Sequence, residues 1–470
     1  MASMFVLLAL LRAAASVVVL PDRAPKGFNS FDDYHSQTLN QSTAHALATA
    51  MASQLLPHGF DHFVLDGGWA RSTDADGNVT WHFDEWGRPV AAPDRYDDLA
   101  RLSREVKGLG LKFGLWTVRG VHRDFLHLRV KGMEQYALGD LVDQEATGGG
   151  ANGSCLWMKE MLGVNMSHPA AMAYYESRVD QLVGTYGADF IKADCMMCAP
   201  CYTREIEAFT AAVEQRKEAV VLSYSPGGGN TVDDGKWVAG GRLGSMYRVT
   251  TDFHGGWYGW GSLQQSLFIQ GNFSAAGLYG ANGSWPDPDM LPMRSDWWNR
   301  SVEQDDRGET IFAAWTISGA PLMHAGELPA DDRTAAYLTN PTARRVHENG
   351  TLFGVRYYEG NCTCVGGPTA CTIPRDFFPA APCVAVWGSA LNDGFAGGFA
   401  AALFNLGENA TTATLDLARV GRADEAAGGV LVTEVWTGRV VGNFAPGAVV
   451  DVPLRPHASA FFVGEYVLGA

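Results

Sequence analysis

Positive charge is scarce in this chain: Lys and Arg number 35 against 51 Asp and Glu over 470 residues, a formal net charge of −16. Such a field repels phosphate backbones and anionic lipid surfaces, so nucleic acid is not expected as a partner. Charged residues of either sign make up only 18% while 47% are hydrophobic, which excludes a disordered chain and supplies apolar side chain for a large core. Beyond the N-terminus no apolar run is long enough to span a membrane. No repeat period or low-complexity tract stands out either. The 12 histidines, among them His35, His62, His122, His168, His254 and His324, are scattered. They lack the paired spacing that a metal-dependent barrel hydrolase uses, so neither a metal nor another cofactor is expected.

Met1 to Leu20 is an apolar stretch broken only by Arg12, and Ala13-Ala14-Ala15 offers small residues for cleavage. Residues 1–20 therefore read as a secretory signal peptide. No Lys or Arg precedes the apolar run, so a signal anchor or a packed N-terminal segment stays open as the alternative. Ten Asn-X-Ser/Thr sites occur, at Asn40, Asn78, Asn152, Asn165, Asn272, Asn282, Asn299, Asn349, Asn361 and Asn409, and they suit a secreted or endomembrane-lumenal glycoprotein, extracellular, vacuolar or lysosomal. Eight cysteines, at 155, 195, 198, 201, 362, 364, 371 and 383, form an even set that an oxidising compartment would pair. Cys198-Ala-Pro-Cys201 could instead serve redox chemistry or half a zinc site, but no second Cys-X-X-Cys completes a tetrahedral set.

From residue 27 to 345, short apolar runs ending in Gly, Asp or Ser alternate with helix-compatible stretches, the rhythm of a parallel sheet with crossover helices. Eight runs read as strands: Gly27 to Phe31, Phe63 to Gly68, Leu111 to Val118, Asp189 to Asp194, Val220 to Ser225, Met246 to Asp252, Trp285 to Met290 and Ala313 to Leu322. Helices fit between them at Thr43 to Leu56, Leu99 to Gly108, Ala171 to Tyr186 and Glu205 to Arg216. Eight units point to an α/β fold of the (β/α)8 barrel type. After Asn349 the texture turns Gly-rich and alternating, with strand-like runs such as Val384 to Trp387, Gly398 to Phe404, Ala413 to Leu417, Val430 to Trp436 and Ala458 to Val463. Residues 350–470 therefore read as a C-terminal antiparallel β-sandwich domain.

Catalytic groups of such a barrel project from the C-terminal ends of its strands. Asp66, Asp194 and Asp252 each terminate an apolar run, and Asp287 and Asp289 end the seventh. Any one acid could equally be a helix N-cap. Alternation along a strand puts Lys192 and Asp194 on one face, and Arg248, Thr250 and Asp252 on another. A cation beside a carboxylate favours its ionised form, so Asp194 next to Lys192 is the candidate nucleophile. Phe31, Trp69 and Trp116 fall near the same rim, where rings can stack on the apolar faces of pyranoses.

At these residues the sequence resembles glycoside hydrolase family 27, the melibiase-type α-galactosidases. The motifs are Gly27-Phe28-Asn29-Ser30-Phe31, Leu65-Asp66, Gly110-Leu111-Lys112-Phe113-Gly114, Ile191-Lys192-Ala193-Asp194-Cys195, Tyr247-Arg248 with Asp252, and Trp285-Pro286-Asp287-Pro288-Asp289-Met290-Leu291. Asp84-Glu85-Trp86-Gly87-Arg88, Ser223-Tyr224-Ser225-Pro226-Gly227 and the Asp194-Cys195 pair resemble a plant and bacterial branch that includes β-L-arabinopyranosidases. The resemblance implies a retaining exo-glycosidase acting on terminal α-D-galactosyl residues of a carbohydrate substrate. Asp194 would attack the anomeric carbon, and Asp252 would protonate the leaving oxygen and then deprotonate water. It further implies that Asp66, Lys192 and Arg248 bind sugar hydroxyls, and that Phe31 and Trp116 form aromatic walls. Asp252 must hold a proton at rest, so partial burial and the Asp194 charge are expected to raise its pKa and give a bell-shaped, acidic pH dependence. Cys155 with Cys195 is the implied disulfide, Cys198 or Cys201 being the alternatives to Cys195. A homodimer is left open.

Two departures bear on the sugar. Gly67 follows Asp66 where many α-galactosidases carry a second Asp, and Ser223-Tyr224-Ser225-Pro226 replaces a Cys-Glu-Trp-Pro stretch. β-L-Arabinopyranose has the ring stereochemistry of galactose without the hydroxymethyl arm, so a β-L-arabinopyranosidase is the alternative function. A non-catalytic carbohydrate-binding barrel is the alternative from outside enzymology, although such proteins usually drop a catalytic acid and both are present here.

Overall fold

Eight short parallel strands follow one another around a single sheet: β1 (Lys26–Asn29), β2 (His62–Leu65), β3 (Lys112–Val118), β4 (Phe190–Asp194), β5 (Val221–Tyr224), β6 (Met246–Arg248), β7 (Trp285–Asp287) and β8 (Leu322–His324). Each pairs with its neighbour in chain order, and β8 returns beside β1. A bridge between Leu291 and His324 joins the segment after β7 to β8; Leu291 N donates to Met323 O at 2.7 Å and Ala325 N to Leu291 O at 2.9 Å. The sheet thereby closes into a barrel. This computed structural model describes residues 18–34, 39–144, 153–197, 202–226, 231–253, 263–293, 307–360, 383–391, 398–421 and 428–467.

The strands are apolar on both faces because both are covered. Val64, Phe190, Val221, Met246 and Met323 fill the barrel interior. Their chain neighbours Phe63, Leu65, Ile191 and Leu222 face the helical layer. Crossover helices start where a polar side chain can cap them. Asn40 accepts from Thr43 N ahead of the helix Gln41–Gln54, and Asp98 accepts from Arg101 N ahead of Leu99–Gly108. The helix Ala171–Val179 runs on as a π-helical turn over Asp180–Thr185, and Thr203–Glu214 follows β4.

One expected strand is a helix. The run placed at Ala313 to Leu322 contains the end of the helix Arg307–Ser318, and β8 begins only at Leu322. Every residue from Thr310 to Ser318 is buried, because one side of this helix meets the barrel and the other meets the C-terminal sheet. A helix covered all round carries no amphipathic period, and its continuous apolar run reads like a buried strand.

The C-terminal region holds a six-stranded antiparallel sheet, in spatial order Gly350–Gly360, Cys383–Leu391, Gly398–Asn405, Ser459–Tyr466, Val430–Glu434 and Val440–Phe444. Its side chains divide by the two-residue period. Val384, Val386, Phe399, Ala401 and Leu403 pack toward the two-stranded sheet of Thr411–Asp416 and Val449–Leu454. Ala385, Trp387, Ala400, Ala402 and Phe404 join the core shared with the helix Arg307–Ser318. At the N-terminal end, Val18 is buried and Val19 N donates to Val220 O at 2.8 Å, so residues 18–20 belong to the barrel floor. Residues 1–17 of the expected leader lie outside the described residues, as do Asn152, Asn299 and Asn361 and Cys198, Cys201, Cys362, Cys364 and Cys371. Among the described residues no helix is long and apolar enough to cross a membrane.

Candidate active site

At the C-terminal mouth of the barrel a cavity of about 160 Å3 gathers most of the residues singled out from the sequence: Phe31, Asp66, Trp116, Lys192, Asp194, Arg248 and Asp252 all line it. Lys192 and Asp194 come from β4, whose alternation sends both side chains the same way. Asp194 receives three hydrogen bonds. Trp116 Nε1 donates to Oδ2 at 2.8 Å, and Ser225 Oγ and Cys195 N each donate to Oδ1 at 2.8 Å. Burial raises the Asp194 pKa, against the opposing pull of Lys192, Trp116 and Ser225. Cys195 carries a φ of 60°, an uncommon left-handed backbone for a non-glycine residue, which turns the chain away just after Asp194. The same cysteine is disulfide-bonded to Cys155, 40 residues away.

The direct partner of Lys192 is Asp66 and not Asp194, a difference from the expected pairing. Lys192 Nζ lies 2.8 Å from Asp66 Oδ2, which also accepts from Asn29 Nδ2 at 2.9 Å. Asp66 is a cap as well as a cavity residue: its Oδ1 accepts from Gly67 N at 2.8 Å at the start of the short 3-10 helix Gly67–Ala70. Burial works against the Lys192 charge, but Asp66, Asp194 and Asp289 outweigh it and its pKa rises. Phe31 begins a one-turn helix just beyond β1, and Lys192 Nζ stands 5.7 Å from its ring centroid.

Asp252 lies four residues beyond the end of β6, so strand alternation does not place it. Arg248 does: Nη2 contacts Asp252 Oδ1 at 3.1 Å and Asp289 Oδ2 at 2.8 Å. The partial burial expected for Asp252 is not found, since its side chain is 58% exposed and faces the open side of the cavity. Thr250, expected to share its face, is buried and donates through Oγ1 to Pro288 O at 2.9 Å. Trp69 is not a rim residue either. It is 1% exposed, and its Nε1 donates to Trp116 O at 2.9 Å, supporting that wall from behind.

Sequence reasoning missed several wall residues: Asp32, Arg71, Trp81 and Trp157 all line the cavity. Asp32 directly follows the Asn29-Ser30-Phe31 motif, which was the available signal. It is buried, and its Oδ2 has no hydrogen-bond partner among the described residues. Burial and the neighbouring Asp289 hold its carboxyl well above the usual carboxylate range, against Lys192. Five carboxyl groups (Asp32, Asp66, Asp194, Asp252, Asp289) thus face three cations (Arg71, Lys192, Arg248) across one small space. With Asp32 holding its proton these charges come close to balance, a setting that suits a neutral ligand.

Behind this wall Asp287 accepts from Asp289 N at 2.9 Å. Burial pushes its carboxyl up to about 6, against Arg248 and with repulsion from Asp289. The fold therefore binds this proton more tightly than the unfolded chain does. The contribution is complete below the ordinary value of 3.8 and is lost as pH rises through about 6. It amounts to about 3 kcal/mol by linkage. Asp287→Asn keeps the acceptor for Asp289 N, so its Tm should fall less between pH 4 and pH 7 than that of the unsubstituted protein. Parallel Tm curves would refute the assignment.

No protein-family model and no curated protein sequence matches the chain. Among solved structures it is similar to a GH27 β-L-arabinopyranosidase from Geobacillus stearothermophilus, at 24% identity and a TM-score of 0.75, over 96% of this chain and 98% of that one. It is also similar to an α-galactosidase from Saccharomyces cerevisiae (14% identity, TM-score 0.65, 97% and 100% covered) and to α-galactosidase I from Mortierella vinacea (13%, 0.62, 94% and 97%). Motif resemblance and three-dimensional likeness agree: the chain has the architecture of the family 27 glycoside hydrolases, a closed (β/α)8 barrel followed by an antiparallel β-sandwich.

Proposed function

We propose that this chain is a retaining exo-glycosidase of family 27 that removes a terminal pyranose with the ring stereochemistry of galactose. The observation that carries the reading is that Asp194 and Asp252 line one cavity of monosaccharide size together with Asp66, Lys192 and Arg248. Asp194 Oδ2 accepts one hydrogen bond against two at Oδ1, so it keeps the free lone pair for attack on the anomeric carbon. As the bond from Oδ2 to that carbon forms, the bond to the leaving oxygen breaks and Asp252 gives that oxygen its proton. The Asp194 carboxylate against the anomeric carbon favours the oxocarbenium-like transition state. Asp252 then takes a proton from water, which attacks the same carbon and releases Asp194. Its open position lets water reach it once the leaving group has gone. Asp66 and Lys192, joined to Asn29, form a fixed set of acceptors and donors for ring hydroxyls, and Asp32 offers a further carboxyl to one of them.

Both an α-D-galactosyl and a β-L-arabinopyranosyl ring satisfy this description. α-Galactosidase is what the motif resemblance implies. Gly67 favours the second reading: a side chain there would lie over the Trp116 ring, its Cβ 3.4 Å away, and its absence leaves the position next to Asp66 without a carboxylate for a hydroxymethyl arm. A site built to hydrogen-bond a hydroxyl discriminates strongly against its loss, whereas one lacking those contacts does not. A plate of aryl glycosides decides the matter. Hydrolysis of the β-L-arabinopyranoside should match or exceed that of the α-D-galactoside, with the α-D-glucoside and α-N-acetylgalactosaminide inert. Turnover of the glucoside alone, or of none, would defeat the proposal.

A further inference from the structure

Beside the sugar cavity lies a second, larger concavity for which the chemistry above has no use. Its volume is about 610 Å3 against about 160 Å3, and Arg71, Trp81 and Trp157 line both. One wall is the hairpin of Arg71–Thr73 and Val79–Trp81. Phe83, His122 and Phe125 pack together in the floor with ring centroids 4.5–5.2 Å apart. Asp124 and Glu160 add carboxylates to its edge. Trp81 stacks on Trp116 at 6.0 Å and 23°. Trp116 in turn donates to Asp194, so a row of indoles runs from the nucleophile outward.

Trp157 lines both cavities, and it is 53% exposed next to Leu156 at 55%. Its turn is braced. Cys155 is bonded to Cys195, Cys155 N donates to Met161 O and Met161 N to Met158 O, both at 3.0 Å, and Cys155 and Met158 on either side of it are buried. An indole held in water on a fixed turn gains little for folding and offers a ready flat surface to a ligand.

Resting on the reading of the smaller cavity as the seat of the terminal sugar, we propose that this groove binds the leaving-group side of the substrate, a short neutral oligosaccharide. Pyranose rings lay their apolar faces on Trp81 and Trp157, and their hydroxyls donate to Asp124 and Glu160. Those two carboxylates, in a chain of net charge −16, repel a uronate-bearing partner.

The test compares two substrates with the same terminal sugar, one carried on a neutral trisaccharide and one as the glycosyl fluoride, which has nothing to place in the groove. Trp157→Ala should lower kcat/KM on the trisaccharide conjugate at least tenfold more than on the fluoride, mainly through KM, the fluoride carrying only the part of the loss that comes from the wall Trp157 shares with the sugar cavity. Trp157→Phe should recover part of the loss. Equal effects on both substrates, or none, overturn the groove assignment, as does a loss confined to aryl glycosides. A binding measurement separates this outcome from failure of the proposed activity. The free trisaccharide, titrated against the unsubstituted protein by intrinsic fluorescence, should bind whether or not any glycoside is hydrolysed, and Trp157→Ala should abolish that binding. Unchanged affinity in the variant overturns the proposal.

Discussion

Asp194→Ala is expected to lower kcat/KM on an aryl β-L-arabinopyranoside or α-D-galactoside by roughly 10^4-fold or more, about 5.5 kcal/mol of transition-state stabilisation. The figure is large because the substitution removes the attacking oxygen itself. Lys192 is held by Asp66, and Ser225 and Trp116 lose with Asp194 the carboxylate to which they donate. Asp194→Asn tests the same point with volume and packing kept. In the Ala variant the vacated space admits a small anion, so azide should restore turnover of a substrate with a good leaving group. The product would be the glycosyl azide of inverted anomeric configuration, because one displacement replaces two. Activity within tenfold of the unsubstituted protein, or azide rescue that keeps configuration, would remove Asp194 from its role.

Asp252→Asn should show a different signature, one set by the leaving group. For a sugar or alkyl leaving group the loss should be of order 10^3- to 10^4-fold, at the upper end for general acid catalysis. For a dinitrophenyl leaving group, which needs no proton, glycosylation should stay fast. The second step still lacks its base, so a burst of dinitrophenolate followed by slow turnover is the expected trace. Arg248 holds Asp252 at 3.1 Å and Asp289 at 2.8 Å, so its orientation survives the substitution. An equal loss for every leaving group would mean that Asp252 acts by structure alone.

Most of the barrel was legible because its strands obey local rules. β2, β4 and β7 are short apolar runs stopped by an acid or a glycine, and the two-residue period correctly placed Lys192 and Asp194 side by side. Legibility failed wherever position depended on packing from a distance. The helix Arg307–Ser318 carries no period because two layers cover it. Asp252 sits past the end of its strand, so the alternation rule had nothing to act on, and its true anchor is Arg248. Trp69 and Trp116 look alike in sequence, yet one supports the other from the core. Asp32 stands next to the Asn29-Ser30-Phe31 motif, but no strand end or alternation rule marks it as a wall residue. Trp81 and Trp157, 76 residues apart in the chain, line the same cavities only because the hairpin after β2 and the turn carrying Cys155 fold over one mouth.

The helix Arg307–Ser318 also bears on how this architecture can be taken apart. Phe312 packs against Trp436 at 6.0 Å, Trp436 against Phe461 at 5.5 Å, and Thr310 donates to His457 O at 3.1 Å. On its opposite side Trp315 donates to Asp289 O at 2.9 Å and packs at a tilt against Phe253, with ring centroids 5.2 Å apart. A single element thus carries load from the sandwich to the backbone of a residue that lines the cavity. Swapping or trimming the terminal module would strip an apolar flank and unsettle the pocket together, which makes that module a structural buttress of the barrel and not a detachable accessory.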